Sequence, residues 1–279
     1  MANMHMKERP GFTGKLNDAI RRRVRLISQK LELPSIESKF SHLNFTDGSW
    51  RGPLPGDDVN LALFIDHTLL KPESTEASIL QLCKEARQHK FYAVCVNGSR
   101  VQYCVEALRG SGVRTAAVCG FPLGAGSATA KAAEAADLVR NGAHEVDMVM
   151  NVGALQDGNY RVVYDDIRAV VGACGPHVTT KVILETCLLT REQIIDSCIL
   201  SVAAGASYVK TSTGFGKGGA TPESIDIMLA TVGNAAKVKA SGGVRDRAMA
   251  LEFVKAGVSR IGTSNGIAII SGVKSSSNY

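Results

Sequence analysis

From Val59 onward the chain repeats one unit: a short apolar run, a polar or glycine-rich break, and a segment whose apolar residues recur at helical spacing. The runs are LALFIDH, FYAVCVN, RTAAVCGF, HEVDMVMN, TKVILET, SYVKTST, KVKASGG and SRIGTS. Helices are expected near 75–89, 99–110, 127–141, 160–173, 190–204, 221–234 and 245–256, with a short last one after the eighth run. Several open on Ser or Thr at a capping position and close on Gly. Strands that alternate with helices in this way pair in parallel. Eight such units in about 215 residues predict a TIM (β/α)8 barrel, in which functional groups collect at the C-terminal ends of the strands. An open doubly wound sheet is the other architecture for this alternation, but no GxGxxG follows the first run and no acidic ribose-binding residue is placed for it.

The remaining parts flank this barrel, assigned to residues 59–272. Residues 1–58 read as an N-terminal helical extension and linker: Leu16, Ile20, Val24, Ile27 and Leu31 recur at helical spacing, and Pro34, Pro53, Pro55 and Gly56 then interrupt. Residues 273–279 read as a flexible tail. The extension is Arg-rich and amphipathic, as organelle-targeting peptides are, but Glu8, Asp18 and Glu32 argue against that assignment.

Charge and composition exclude several classes of function. The net charge of +6 is modest and concentrated at Arg21, Arg22, Arg23 and Arg25, and aromatic residues make up 5% of the chain. A nucleic-acid surface needs a basic stripe with interleaved aromatics, so small anionic ligands are the better match. No run reaches the length of a membrane span and no secretory signal is expected, which points to a soluble cytoplasmic protein. The seven cysteines are odd in number and scattered mostly through predicted strands and helices, as reduced core residues are. No Cys or His spacing matches a zinc site, and neither metal nor cofactor is expected.

The chemistry concentrates in SYVKTSTG, where a buried run breaks off at Lys210. An ammonium beside Tyr208 and Val209 is partly desolvated and biased toward the neutral amine, which makes Lys210 the candidate nucleophile. Lys239 occupies the same place one unit later, in KVKASGG. Taken singly, either lysine also fits a surface group with its stem along apolar neighbours, and the paired placement argues against that. Two ammonium groups about 4 Å apart repel by about 4 kcal/mol at an effective dielectric near 20, roughly three pKa units.

Asp147, in the apolar run EVDMVMN, requires a partner for its charge, and a lysine across the barrel supplies one. A purely structural ion pair answers the same requirement. Asp66 in FIDHTLL is similar, and its neighbour His67 is left without a role. Cys95 and Glu185 fall at the same strand ends, but Lys181 shares side-chain parity with Glu185, so a structural pair accounts for Glu185 equally well. Three glycine-rich loops follow: Gly214 to Gly219, Ser241-Gly242-Gly243 and Gly262 to Gly266. The last two stand in the slots after strands seven and eight, where barrels often bind phosphate through backbone amides. Tight β/α turns need glycine in any case. Three such loops beside the lysine pair predict a phosphorylated substrate.

Together these segments resemble the deoxyribose-phosphate aldolase family, Schiff-base aldolases built on a TIM barrel, from Leu61 to about Ser271. The motifs are IDHTLLKP at 65–72, the AVCVN strand, EVDMVMNVGAL at 145–155, KVILET at 181–186, YVKTSTGFG at 208–216, VKASGG at 238–243 and RIGTS at 260–264. The resemblance implies that Lys210 forms the Schiff base, that Lys239 depresses its pKa, and that Asp147 relays protons with Asp66 in support. It assigns Gly214, Ser241, Gly242, Gly243 and Ser264 to the phosphate. It also implies a role for the terminal Tyr279, since some members end in a tail whose last tyrosine reaches the active site. The implied substrate is a small phosphorylated sugar, cleaved without metal or cofactor, and the implied assembly is a homodimer. Many members have Ser-Ser where this chain has Ser264-Asn265, which alters one phosphate contact. Another lysine aldolase, a transaldolase, a phosphosugar-binding barrel without turnover and a metal-dependent aldolase are the rival readings.

Overall fold

The computed structural model describes residues 14–44 and 54–273. Eight strands close into one parallel barrel in the order in which they occur in the chain. They are β1 Ile65–Leu69, β2 Ala93–Val96, β3 Arg114–Cys119 and β4 Glu145–Val149, then β5 Thr179–Ile183, β6 Tyr208–Lys210, β7 Lys237–Ser241 and β8 Arg260–Thr263. The expected TIM (β/α)8 barrel is therefore the observed one.

Among the described residues two α-helices precede the barrel, α1 Gly14–Leu31 and the single turn α2 Ser35–Ser38. The barrel is wrapped by α3 Glu76–His89, α4 Val101–Ala107, α5 Ala128–Arg140, α6 Val152–Gln156, α7 Tyr160–Cys174, α8 Arg191–Ala203, α9 Pro222–Val232, α10 Arg247–Ala256 and α11 Gly266–Ser271. The helix starts follow from local chemistry. Thr75, Ser127, Asn159, Thr190, Thr221 and Asp246 each accept a hydrogen bond from a backbone N–H of the first turn. Thr190 with Gln193 and Thr221 with Ser224 add the reciprocal bond.

Two elements differ from expectation. The first apolar run is not all strand: Asn60 caps a 3-10 turn over Leu61–Phe64, and β1 begins at Ile65. The turn α6 was not expected, and it forms because the Asn151 side chain accepts from Ala154 N after β4 ends.

The extension lies on the barrel's outer layer. Leu16, Ile20, Val24, Ile27 and Leu31 are buried, and α1 packs against α7, α8 and α9. Arg23 lies against the Asp196 carboxylate, with Nε 2.7 Å from Oδ1, and its Nη2 is 2.6 Å from the Tyr160 hydroxyl. The apolar residues of α8 run all round it, as a helix covered on both sides requires. Among the described residues no helix is long and apolar enough to cross a membrane.

The loops after β6 and β7 are fixed to each other. A side chain at Gly219 would meet Gly242 O at 2.1 Å, and Ala220 N donates to that oxygen at 3.0 Å. Gly242 itself has φ +83, in the region that favours glycine. Glycine is thus required here by close approach as well as by backbone conformation.

Candidate active site

The short strands project charged side chains into the barrel interior. Lys210 ends β6, and Lys239, its register partner on β7, is equally buried. Both nitrogens reach the same atom: Asp147 Oδ2 accepts from Lys210 Nζ at 2.9 Å and from Lys239 Nζ at 2.8 Å. This holds the two amines within about 6 Å of each other, well inside the screening length of about 8–10 Å. Asp147 Oδ1 accepts from Lys181 Nζ at 2.6 Å, and Lys239 Nζ also donates to Asp66 Oδ2 at 2.5 Å.

These contacts separate the three lysines. Burial lowers the pKa of every one of them. For Lys239 the Asp147 and Asp66 carboxylates outweigh burial and raise it, and for Lys181 the Asp147 and Glu145 carboxylates do the same. Lys210 alone is lowered: burial is the largest cause, Lys239 adds to it, and Asp147 only partly opposes. The expected repulsion between the two lysines is therefore present, but second to desolvation. Burial works against ionisation of Asp147, yet Lys181, Lys210 and Lys239 together hold it well below the usual carboxylate range. Burial likewise opposes ionisation of Asp66, and Arg260, Lys239 and Lys181 outweigh it to hold the carboxyl at about 2.

Above the lysines a cleft opens between the last loops. Gly214, Ser241, Gly242, Gly243, Arg245 and Ser264 all line it. Thr68 and Thr213 also line it, with their hydroxyls donated to Asp66 O and to the Glu185 carboxylate. Beside the lysines, Leu70, Cys95, Ala116 and Val118 form a small buried apolar cluster with Phe121 packed on it. Burial pushes the Cys95 thiol up, so it stays protonated. A larger groove at the opposite end of the barrel is lined mainly by apolar groups such as Phe64, Leu229 and Val258, and lies away from this chemistry.

Four of the five residues expected to carry chemistry, Lys210, Lys239, Asp147 and Asp66, are thus in one cluster, and Tyr279 lies outside the described residues. The pairing of Lys181 with Glu185 is corrected. Glu185 has φ +57, so the chain leaves strand geometry after Ile183 and the parity rule no longer applies. Its carboxylate instead accepts from the Thr213 hydroxyl and from Thr213 N. His67 points outward, with Nε2 2.7 Å from Glu85 Oε2. Six cysteines are buried, but Cys187, on the turn that follows Glu185, is exposed. Sequence reasoning passed over Glu145 and Arg260 and gave Lys181 the wrong partner. The available signal was inward parity within a strand, since Glu145 stands two residues before Asp147; the register that sets Arg260 beside Lys239 and Lys181 beside Asp147 comes from the structure.

A closed β/α barrel with a buried amine–carboxylate cluster under a cleft of glycines, serines and Arg245 suits a carbon–carbon lyase that acts on a small anionic substrate. The profile of the DeoC/LacD family aldolases matches residues 60–273, and the chain belongs to that family. It is 53% identical over 220 residues to the deoxyribose-phosphate aldolase of Geobacillus sp. (strain WCH70), covering 79% of this chain and 99% of that protein. It is 55% identical over 216 residues to the deoxyribose-phosphate aldolase of Brevibacillus brevis, covering 77% and 97%. Among solved structures, the tetrameric deoxyribose phosphate aldolase from Aeropyrum pernix superposes with a TM-score of 0.71 at 31% identity, covering 76% of this chain and 89% of that one. The N-terminal extension lies outside the residues that the family profile matches.

Proposed function

We propose that this chain reversibly cleaves 2-deoxy-D-ribose 5-phosphate into acetaldehyde and D-glyceraldehyde 3-phosphate, with Lys210 as the nucleophile. The observation that carries the assignment of Lys210 is its single, shared carboxylate oxygen in a buried site, which makes it the amine most easily deprotonated in the cluster. The neutral amine attacks C1 of the open-chain aldehyde to give a carbinolamine, and loss of water gives an iminium. The iminium accepts the electron pair of the breaking C2–C3 bond and becomes an enamine as the C3 hydroxyl proton leaves. Protonation of the enamine and hydrolysis then release acetaldehyde. Asp147, through an ordered water, moves these protons.

The glycine and serine cleft holds the phosphate several bonds from the reacting carbon, so binding energy there orients the aldehyde on Lys210. The apolar cluster of Leu70, Cys95 and Val118 suits the two-carbon fragment. Incubation with deoxyribose 5-phosphate and borohydride should leave a reduced adduct on Lys210, with acetaldehyde released in a coupled assay without the reductant. Lys210→Leu should lose both. An unmodified Lys210 peptide in the parent protein rejects the assignment, and turnover without acetaldehyde points to a transaldolase or another lysine aldolase.

A further inference from the structure

We infer that Asp147, Lys239, Asp66, Arg260, Glu145 and Lys181 form one closed ring of alternating charge, in which Lys181, Glu145 and Arg260 are positioning residues that make Lys210 the surplus cation of the barrel interior. The inference rests on Lys210 being the nucleophile, and it assigns a task to three buried ionic side chains that the reaction does not itself use.

The ring can be followed atom by atom. Asp147 Oδ2 accepts from Lys239 at 2.8 Å, and Lys239 donates to Asp66 Oδ2 at 2.5 Å. Asp66 Oδ1 accepts from Arg260 Nε at 2.7 Å, and Arg260 Nη2 donates to Glu145 Oε2 at 2.6 Å. Glu145 Oε2 lies 2.5 Å from Lys181 Nζ, which returns to Asp147 Oδ1 at 2.6 Å. Every cation in the ring touches two carboxylates, and every carboxylate touches two ring cations. Lys210 hangs outside it on the Asp147 Oδ2 already used by Lys239.

The remaining groups around Lys210 do not alter this count. Cys95 on β2 is a buried thiol kept protonated by its surroundings. On β6 itself, Tyr208 is a phenol whose pKa burial raises. The inward residues of β3, Ala116 and Val118, carry no charge. Tyr92, whose ring centroid lies 3.5 Å from the Arg260 guanidinium, is also a phenol. Glu185, at the exit of β5, is bound to the Thr213 hydroxyl and amide rather than to a cation of the cluster.

With three carboxylates and three permanent cations the ring is neutral, so the interior carries no net charge only while Lys210 is an amine. In a buried site an uncompensated charge is costly. The same reasoning follows the reaction forward. The carbinolamine and the enamine have an uncharged nitrogen. Iminium formation takes up one proton and releases water, restoring the surplus charge, and cleavage of the C2–C3 bond removes it again by sending an electron pair to that nitrogen. The ring thus favours the states on either side of the electron sink.

Variants that change the ring by one charge of either sign test this, read as the acid limb of the pH profile of kcat/KM with deoxyribose 5-phosphate. The substrate phosphate titrates identically in every variant and cancels. Glu145→Gln leaves an extra positive charge and should move the limb to lower pH by about one to two units. Lys181→Met leaves an extra negative charge and should move it to higher pH by about as much. Lys181→Arg and the double variant Glu145→Gln/Lys181→Met both conserve the net charge and should return the limb toward its parent position. Where Lys181→Met does not fold, Arg260→Gln removes the same charge from the far side of the ring and carries the same prediction. Limbs that move in the same direction for both single-charge changes, or stay in place, overturn the ring while borohydride still traps the parent Lys210. Absence of that trap overturns the assignment of Lys210 instead.

Discussion

The layer between strands and helices is filled by Val94, Val146, Ile167, Val182, Ile199 and Val238, whereas the inward side of the same strands carries Asp66, Glu145, Asp147, Lys181, Lys239 and Arg260. Both regions are buried, yet they are held by different forces. In the outer layer each side chain contributes its own transfer from water, about 1.5–3 kcal/mol for a Val, Leu or Ile, and neighbours of similar volume can substitute for it. In the interior no charge is stable alone, because removing one partner strands the other in a low-dielectric site at a cost of about 3–5 kcal/mol. The difference teaches where stability and chemistry are separable. An apolar position can fail without changing the reaction, while an interior position changes both.

The sharpest way to break that contrast is Asp147→Asn. Its carboxylate oxygens serve three ammonium groups, so the variant should lose about 10²–10⁴-fold in kcat/KM for the lost proton relay, together with a lower Tm. Activity within tenfold of the parent would mean that the interior charges are structural only. The matching change in the outer layer is Ile199→Ala, on α8 between the barrel and α1. It should cost about 2–5 kcal/mol by urea unfolding and leave the acid limb of kcat/KM where it was. A shifted limb in that variant would show that the two regions are not separable.

The barrel was legible because its signals are local and repeated: eight apolar runs, helical spacing between them, and caps that formed where Thr75, Ser127, Thr190 and Thr221 stand. The amines and the main carboxylate were legible because a charge inside an apolar run is costly without a reason. What could not be read was the partner of each charge. Partner choice depends on register between strands far apart in the chain, as for Asp66 and Arg260, 194 residues apart. It depends also on where strand geometry stops, and the φ of +57 at Glu185 has no signature in VILET. The cleft was legible as glycine-rich loops, but Arg245 and Thr213 were not singled out because a loop side chain's direction is set by neighbouring loops.

A smaller effect separates the regions by pH. Asp66 is held at about 2 by Arg260, Lys239 and Lys181, below the unfolded carboxyl value of about 3.9. A carboxyl whose folded value is depressed contributes stability that is fully present above the unfolded value and is lost as pH falls toward the folded one. Asp147, depressed in the same direction, acts in the same sense. The Asp66 contribution to stability should therefore be constant above about pH 5 and fall by about 2 kcal/mol between there and about pH 2, measured as urea midpoints of the parent against Asp66→Asn across that range. Asp66→Asn should start from a lower midpoint, because Lys239 and Arg260 each lose a partner, and should then decline less steeply with acid. Ile199→Ala should run parallel to the parent across the whole range. An Asp66→Asn curve parallel to the parent would show that this carboxyl is not depressed by its neighbours, and would remove one side from the contrast between interior and outer layer.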